Sequence, residues 1–139
     1  MPLELIPHVH RAAHRIGLYI GRFADAEVTQ GEAHILAHLR AEGDSTIAQL
    51  HKAFAHKRST LTSILDRMAE RGWISREADS RDRRTFRVRL TRQGAKVASR
   101  IYAHLEKLER SVLRGLSEAE ARVFREVLER LEDKAEGKS

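Results

Sequence analysis

Apolar residues recur at intervals of three and four from Val9 through Ala12, Ala13, Ile16, Tyr19 and Ile20 to Phe23, which is the spacing of one helix face. Pro7 suits the first turn of such a helix, so the pattern predicts an amphipathic helix over about residues 5–24. Thr29-Gln30-Gly31-Glu32 has the form of a capping box, in which hydroxyl and carboxylate satisfy amides at a helix start, and Ile35, Leu36 and Leu39 continue as an apolar face until Gly43. Thr46-Ile47-Ala48-Gln49 repeats the box and opens a short helix with Ile47, Leu50, Ala53 and Phe54 inward, stopping near Ala55. Leu61, Ile64, Leu65 and Met68 mark another helix, ended by Gly72 as a left-handed residue. Two short helices with a tight connection predict a helix-turn-helix.

Beyond Gly72 the period changes to two. Trp73 to Glu77 and Thr85 to Leu90 read as strands, the second placing Phe86, Val88 and Leu90 on one face. The charged stretch Ala78 to Arg84 joins them. A hairpin with a cationic tip directly after a helix-turn-helix is a wing. Thr91 and Gly94 then start a long helix with Val97, Ile101, Leu105, Leu108 and Val112 on one stripe. Ser117-Glu118-Ala119-Glu120 is a third capping box, opening a last helix through Phe124, Val127, Leu128 and Leu131. The expected fold is mainly α with a small β-hairpin, a winged helix-turn-helix over about 29–94 flanked by N- and C-terminal helices over about 5–24 and 95–135. The chain reads as one domain, 1–139, because its length supports a single core that buries about 68% of the unfolded surface. The apolar stripes of the first and last two helices each need a partner. A twofold homodimer supplies it, and the alternative is a monomer whose end helices cover the central unit.

Charge changes the picture from fold to partner. The chain carries 26 Lys and Arg against 20 Asp and Glu, a net charge of +6. Residues 51–100 alone hold 14 basic and 5 acidic side chains, so the remainder is net negative and the positive field is confined to the middle. A basic centre on mildly acidic flanks is the pattern of a face that binds a polyanion. Aromatic residues make up 5% of the chain, too few to build a stacking platform for single strands, which leaves double-stranded DNA as the expected partner. With Cys 0, disulfides, thiolate zinc sites and cysteine nucleophiles are excluded. No apolar run is long enough to span a membrane and no secretory signal opens the chain, so a cytoplasmic location without a membrane partner is expected.

The candidate recognition helix begins at His56-Lys57-Arg58-Ser59-Thr60, with Thr62, Ser63 and Arg67 following on its outer side. Lys57 and Arg58 match guanine O6 and N7, and the hydroxyls of Ser59, Thr60, Thr62 and Ser63 suit phosphates or base edges. The competing reading is that Lys57 and Ser59 only cap and solubilise the helix. The wing favours the first, since Arg81, Arg83 and Arg84 sit on a hairpin narrow enough for the minor groove. Asp82 repels phosphate, so its expected task is wing support, holding Arg84 or Arg67 by a charge-assisted bond. Arg87 and Arg89 read as a solvated strand face.

The runs Ser59-Thr60-Leu61-Thr62, Leu65-Asp66-Arg67-Met68 and Arg71-Gly72-Trp73-Ile74, followed by Asp79, Asp82-Arg83-Arg84, Leu90-Thr91 and Gly94, resemble the signature of the MarR (multiple antibiotic resistance regulator) family of winged-helix transcription factors. The resemblance spans nearly the whole chain and rests on the ordered set of motifs rather than any one of them. It implies a homodimer formed by the N- and C-terminal helices, which binds a palindromic operator through two recognition helices and two wings. It further implies a repressor relieved by a small phenolic or anionic effector held between the dimer helices and the DNA-binding lobe. One departure stands out: Ala55-His56-Lys57 occupies the turn where the family often has Gly, an apolar residue and a Ser cap.

Tyr19, Phe23, His34 and His38 are the candidate lining of such an effector pocket, although aromatic and His residues at helical spacing equally serve as core or surface. His10 with His14, and His34 with His38, stand at i, i+4 as metal ligands could, which keeps a metal-responsive regulator as an alternative. Neither pair has a cysteine or a clear carboxylate partner, so no metal or other cofactor is expected. Nucleophile-elbow, P-loop, dinucleotide and HExxH motifs are missing, so no catalytic residue and no enzyme is expected. A non-specific architectural DNA-binding protein needs only the charge and is the main rival. A winged helix used for protein contact leaves the basic centre unexplained.

Overall fold

The computed structural model describes residues 2–23 and 28–138; residue 24, the expected end of the first helix, lies outside them. The chain forms two compact units, Met1–His104 and Leu105–Ser139. The first contains α1 (Ile6–Gly21), α2 (Gln30–Glu42), β1 (Ser45–Thr46), α3 (Ile47–Phe54), α4 (Arg58–Glu70), β2 (Ile74–Ala78), β3 (Phe86–Leu90) and the start of α5 (Arg92–Leu113). The remainder of α5 and α6 (Glu118–Ala135) belong to the second.

The capping boxes act where the sequence places them. Thr29 Oγ1 accepts from the Glu32 amide at 3.2 Å while Glu32 Oε1 accepts from the Thr29 amide at 3.0 Å, and the Thr46/Gln49 and Ser117/Glu120 pairs repeat this reciprocity. The core of the first unit joins Ile35, Leu36 and Leu39 of α2 to Leu50 of α3, to Leu61, Ile64, Leu65 and Met68 of α4, and to Trp73, Ile74, Val88 and Ala98. Gly94 lets α5 start against the turn after α4, because a Cβ there would stand 1.8 Å from the Trp73 carbonyl oxygen.

The wing is part of a three-stranded antiparallel sheet in the order β1-β3-β2, with Ser45 opposite Val88 and Ile74 opposite Leu90. The two residues of β1 are too few to show a period, which is why the sequence displays only the hairpin. Five side chains of this unit expected on inward faces are exposed, Ala12 and Ala13 of α1 among them. Ala53 is exposed, Ile16 is 38% exposed and Phe86 is 51% exposed, because the short α3, most of α1 and the start of β3 lie beyond the core of this unit. On α1 only Ile20 is buried, and Leu18 also faces solvent. In the second unit α6 fully buries no residue and exposes Val123, Phe124 and Val127.

Candidate nucleic-acid interface

The start of α4 follows from the turn before it. Ala55 ends α3 in the left-handed conformation, φ 53° and ψ 21°, with its amide bonded to the His51 carbonyl at 2.9 Å. Alanine therefore does what glycine does at lower strain in such a turn. Lys57 is the N-cap of α4 and makes no side-chain cap, since an ammonium group has no acceptor to offer the first-turn amides. No acidic side chain lies in that turn either. The helix begins with its positive dipole end uncapped by any side chain and with Lys57 and Arg58 beside it, an arrangement unfavourable by itself and relieved by an anion.

Leu61, Ile64, Leu65 and Met68 anchor one side of α4 in the core, and the opposite side exposes Arg58, Ser59, Thr60, Thr62, Ser63 and Arg67. The Thr62 hydroxyl donates to the Arg58 carbonyl at 2.9 Å, so toward a ligand it retains acceptor capacity only.

The wing is held by two aspartates. Asp82 Oδ1 accepts from both the amide and Nε of Arg84, at 3.1 and 3.0 Å, and these bonds hold its carboxyl below the ordinary value, the side-chain bond first. Asp79 is the deeper anchor, 6% exposed. Its Oδ2 accepts the Asp82 amide at 3.2 Å and its Oδ1 accepts from Arg87 Nη2 at 3.2 Å, while the backbone closes through Asp79 N to Thr85 O at 3.0 Å. In the sequence Asp79 stands out only as part of the family signature. The two-residue Asx turn in this loop is that of Asp82 with the Arg84 amide, whereas Asp79 bonds the amide three residues on and its part as an anchor shows only in the fold.

Arg87 and Arg89, expected to be a solvated face, also pair within the chain: Arg87 is half-buried against Asp79, while Arg89 stays 52% exposed in surface pairs. Arg89 reaches Asp44 at 3.1 Å and Glu77 at 3.7 Å, and Arg76 meets Asp66 of α4 at 2.7 Å. The bond to Asp44, then the Glu77 charge, pushes the Arg89 guanidinium further above its ordinary value. Among the described residues, Lys57, Arg58, Arg67, Arg81 and Arg83 are exposed and form no ion pair. Within the helix-turn-helix and wing, unpaired positive charge is thus available on the outer side of α4 and on the wing tip.

The four candidate pocket residues fall into two groups. Tyr19 stacks on His104 with ring centres 3.9 Å apart, donates its hydroxyl to the His104 carbonyl at 2.6 Å, and offers its own carbonyl to His104 Nε2 at 2.8 Å. Phe23 lies against the same imidazole, with the Arg100 guanidinium 5.2 Å from its ring centre. His38 meets Phe54 edge-on at 5.3 Å, and Phe54 in turn faces His56 at 6.0 Å. His34 reaches solvent, but desolvation by its neighbours, then the His56 charge, holds its imidazole below the ordinary value. His104, Arg100 and His56 were not in the sequence-based set, because only the fold brings them to these partners. Among the described residues no group of three or more His, Asp or Glu side chains is placed to hold a metal ion, and no helix is long and apolar enough to cross a membrane.

Comparison with known proteins agrees with this geometry. A model of the MarR family matches residues 28–86, from α2 to the start of β3. The HTH-type transcriptional regulator PecS of Dickeya dadantii (strain 3937) is 33% identical over 126 residues, covering 85% of this chain and 76% of PecS. Among solved structures, BpsR of Bordetella bronchiseptica, whose DNA binding is regulated by 6-hydroxynicotinic acid, is 24% identical with a TM-score of 0.73, over 96% of this chain and 99% of BpsR. MepR of S. aureus in its DNA-binding conformation is 19% identical with a TM-score of 0.87, again over 96% and 99% of the two chains, a likeness of fold.

Proposed function

This chain belongs to the MarR family and is a transcriptional regulator rather than an enzyme, and from that premise we propose that it is a homodimeric repressor of a palindromic operator, released by a small anionic or phenolic effector. Residues 1–139 act as one functional domain, with 29–94 as the DNA-binding core and the helices over about 5–24 and 95–135 as dimerisation elements. Each recognition helix α4 enters a major groove by its uncapped N-terminus, with Lys57, Arg58, Ser59, Thr60, Thr62, Ser63 and Arg67 facing the duplex. The wing lays Arg81, Arg83 and Arg84 along the neighbouring minor groove, supported by Asp82.

The observation that carries this reading is the division of the cations. Arg76, Arg87 and Arg89 are used by internal pairs, whereas Lys57, Arg58, Arg67, Arg81 and Arg83 face outward without one. The homodimer is supported by apolar side chains left in water, namely Leu5, Ile16 and Leu18 in the first unit and Val123, Phe124 and Val127 in the second. The effector class is supported by BpsR, whose regulator is an aromatic acid, and by Arg100 and His104 beside Tyr19 and Phe23.

Selection of duplexes from a random library by the purified protein at near-physiological salt tests the reading. Enrichment of a palindrome with half-sites about 10 bp apart, and its release by an aromatic acid, is the expected result. Binding without enrichment indicates an architectural protein, and no binding removes DNA as the partner.

A further inference from the structure

Phe86 opens β3 and leaves half of its surface in water, although strand alternation puts it on the face of Val88 and Leu90. Opposite it on β2 stands Ala78, whose methyl group is too small to cover the ring. The same face carries Arg76, opposite Val88, and Arg76 bonds to Asp66, so this face looks toward α4. The Trp73 amide bonds to the Met68 carbonyl at 3.0 Å, and Arg76, further along, reaches back to Asp66. β2 therefore turns back beside α4, level with Asp66 at Arg76, and Phe86 lies two residue pairs further along the hairpin. The ring thus opens the strand that leads away from the tip carrying Arg81, Arg83 and Arg84, on the sheet face turned toward α4.

We propose that Phe86 is a DNA contact, packing against deoxyribose on the backbone ridge between the groove entered by α4 and the groove entered by the wing. The inference rests on the duplex reading above. Arg81 and Arg83 precede the ring on the tip by five and three residues, and the helix toward which its face is turned begins at Lys57 and Arg58, charges suited to a ridge of phosphates. Between its phosphates that ridge presents the C–H edges of the sugars, and an apolar ring is complementary to those. A protein partner is the poorer match. The other large exposed apolar residues cluster in residues 3–18 and 112–127, whereas Phe86 stands alone among charges.

The test uses two duplexes, one enriched from a random library by the wild-type protein and one with the same bases shuffled, titrated across a range of salt. Phe86→Ala is expected to weaken both by about tenfold, the effect of leaving half a phenyl ring in water. The slope of log affinity against log salt should stay unchanged, because an apolar contact releases no counterions. Phe86→Leu should keep most of the affinity, and Phe86→Thr, ringless but strand-forming, replaces the alanine variant if that proves unstable. Wild-type affinity in the ringless variant overturns the proposal. So does a shallower slope, which puts the effect in displaced cations, or a loss confined to the selected duplex, which means base readout. Failure of the wild type on both duplexes removes the duplex reading itself, an outcome separate from any effect of Phe86.

Discussion

Asp79 and Arg87 are joined at the base of the wing through a single carboxylate oxygen, which accepts Arg87 Nε at 3.3 Å and Nη2 at 3.2 Å. The other oxygen of Asp79 accepts the Asp82 amide, so one buried side chain ties β3 to the tip loop. Removing it strands a guanidinium and a backbone amide together. Asp79→Ala should cost about 2 kcal/mol of stability, below the cost of breaking a fully buried pair because Arg87 is partly solvated. Asp79→Asn, which keeps an acceptor, should lose less. Urea unfolding of the two variants measures both, and equal losses would mean that a neutral acceptor at this position contributes nothing and that the charge carries the effect.

The left-handed residue of the helix-turn-helix gives a change in the opposite direction. Ala55 at φ 53° bears strain that glycine avoids, partly offset by the greater freedom of glycine in the unfolded chain. Ala55→Gly should raise stability by about 0.5–1 kcal/mol, seen as a higher urea midpoint at unchanged m-value. A lower midpoint would show that the turn relaxes without strain.

Two arginines should separate affinity from specificity. Arg83→Ala is expected to weaken duplex binding evenly across sequences and to reduce the salt slope by about 1, as loss of one phosphate contact requires. Arg58→Ala should instead alter preference at one or two base positions by about 1–3 kcal/mol. Binding isotherms on operator variants at several salt concentrations distinguish these results, and uniform weakening by Arg58→Ala would reassign that residue to the backbone.

His34 gives stability a dependence on pH. Its folded-state value lies below the ordinary 6.5, for desolvation first and the His56 charge second, so the unfolded chain takes up this proton more readily. The contribution of neutral His34 is complete above the unfolded value and is lost as pH falls through the lowered folded one. Urea midpoints should therefore drop more steeply below about pH 6.5 in the wild type than in His34→Gln. Parallel curves for the two proteins would show that His34 is not the source.

What the sequence determined by itself is local. Each capping box joins a hydroxyl to a side chain three residues on, so Thr29, Thr46 and Ser117 mark helix starts without reference to the rest of the chain. The helix-turn-helix and the hairpin are read from periodicity for the same reason. The tertiary structure alone decided which cations remain for a ligand. Arg89 finds Asp44 across 45 positions of sequence, and Tyr19 finds His104 across 85. It also decided that Phe86, in step with Val88, emerges from the core, because alternation states which side of a strand a residue takes but not where the covering helix ends. Spacing encodes bonds between near neighbours, whereas the pairing of distant charges and the edge of a core exist only once the elements have packed.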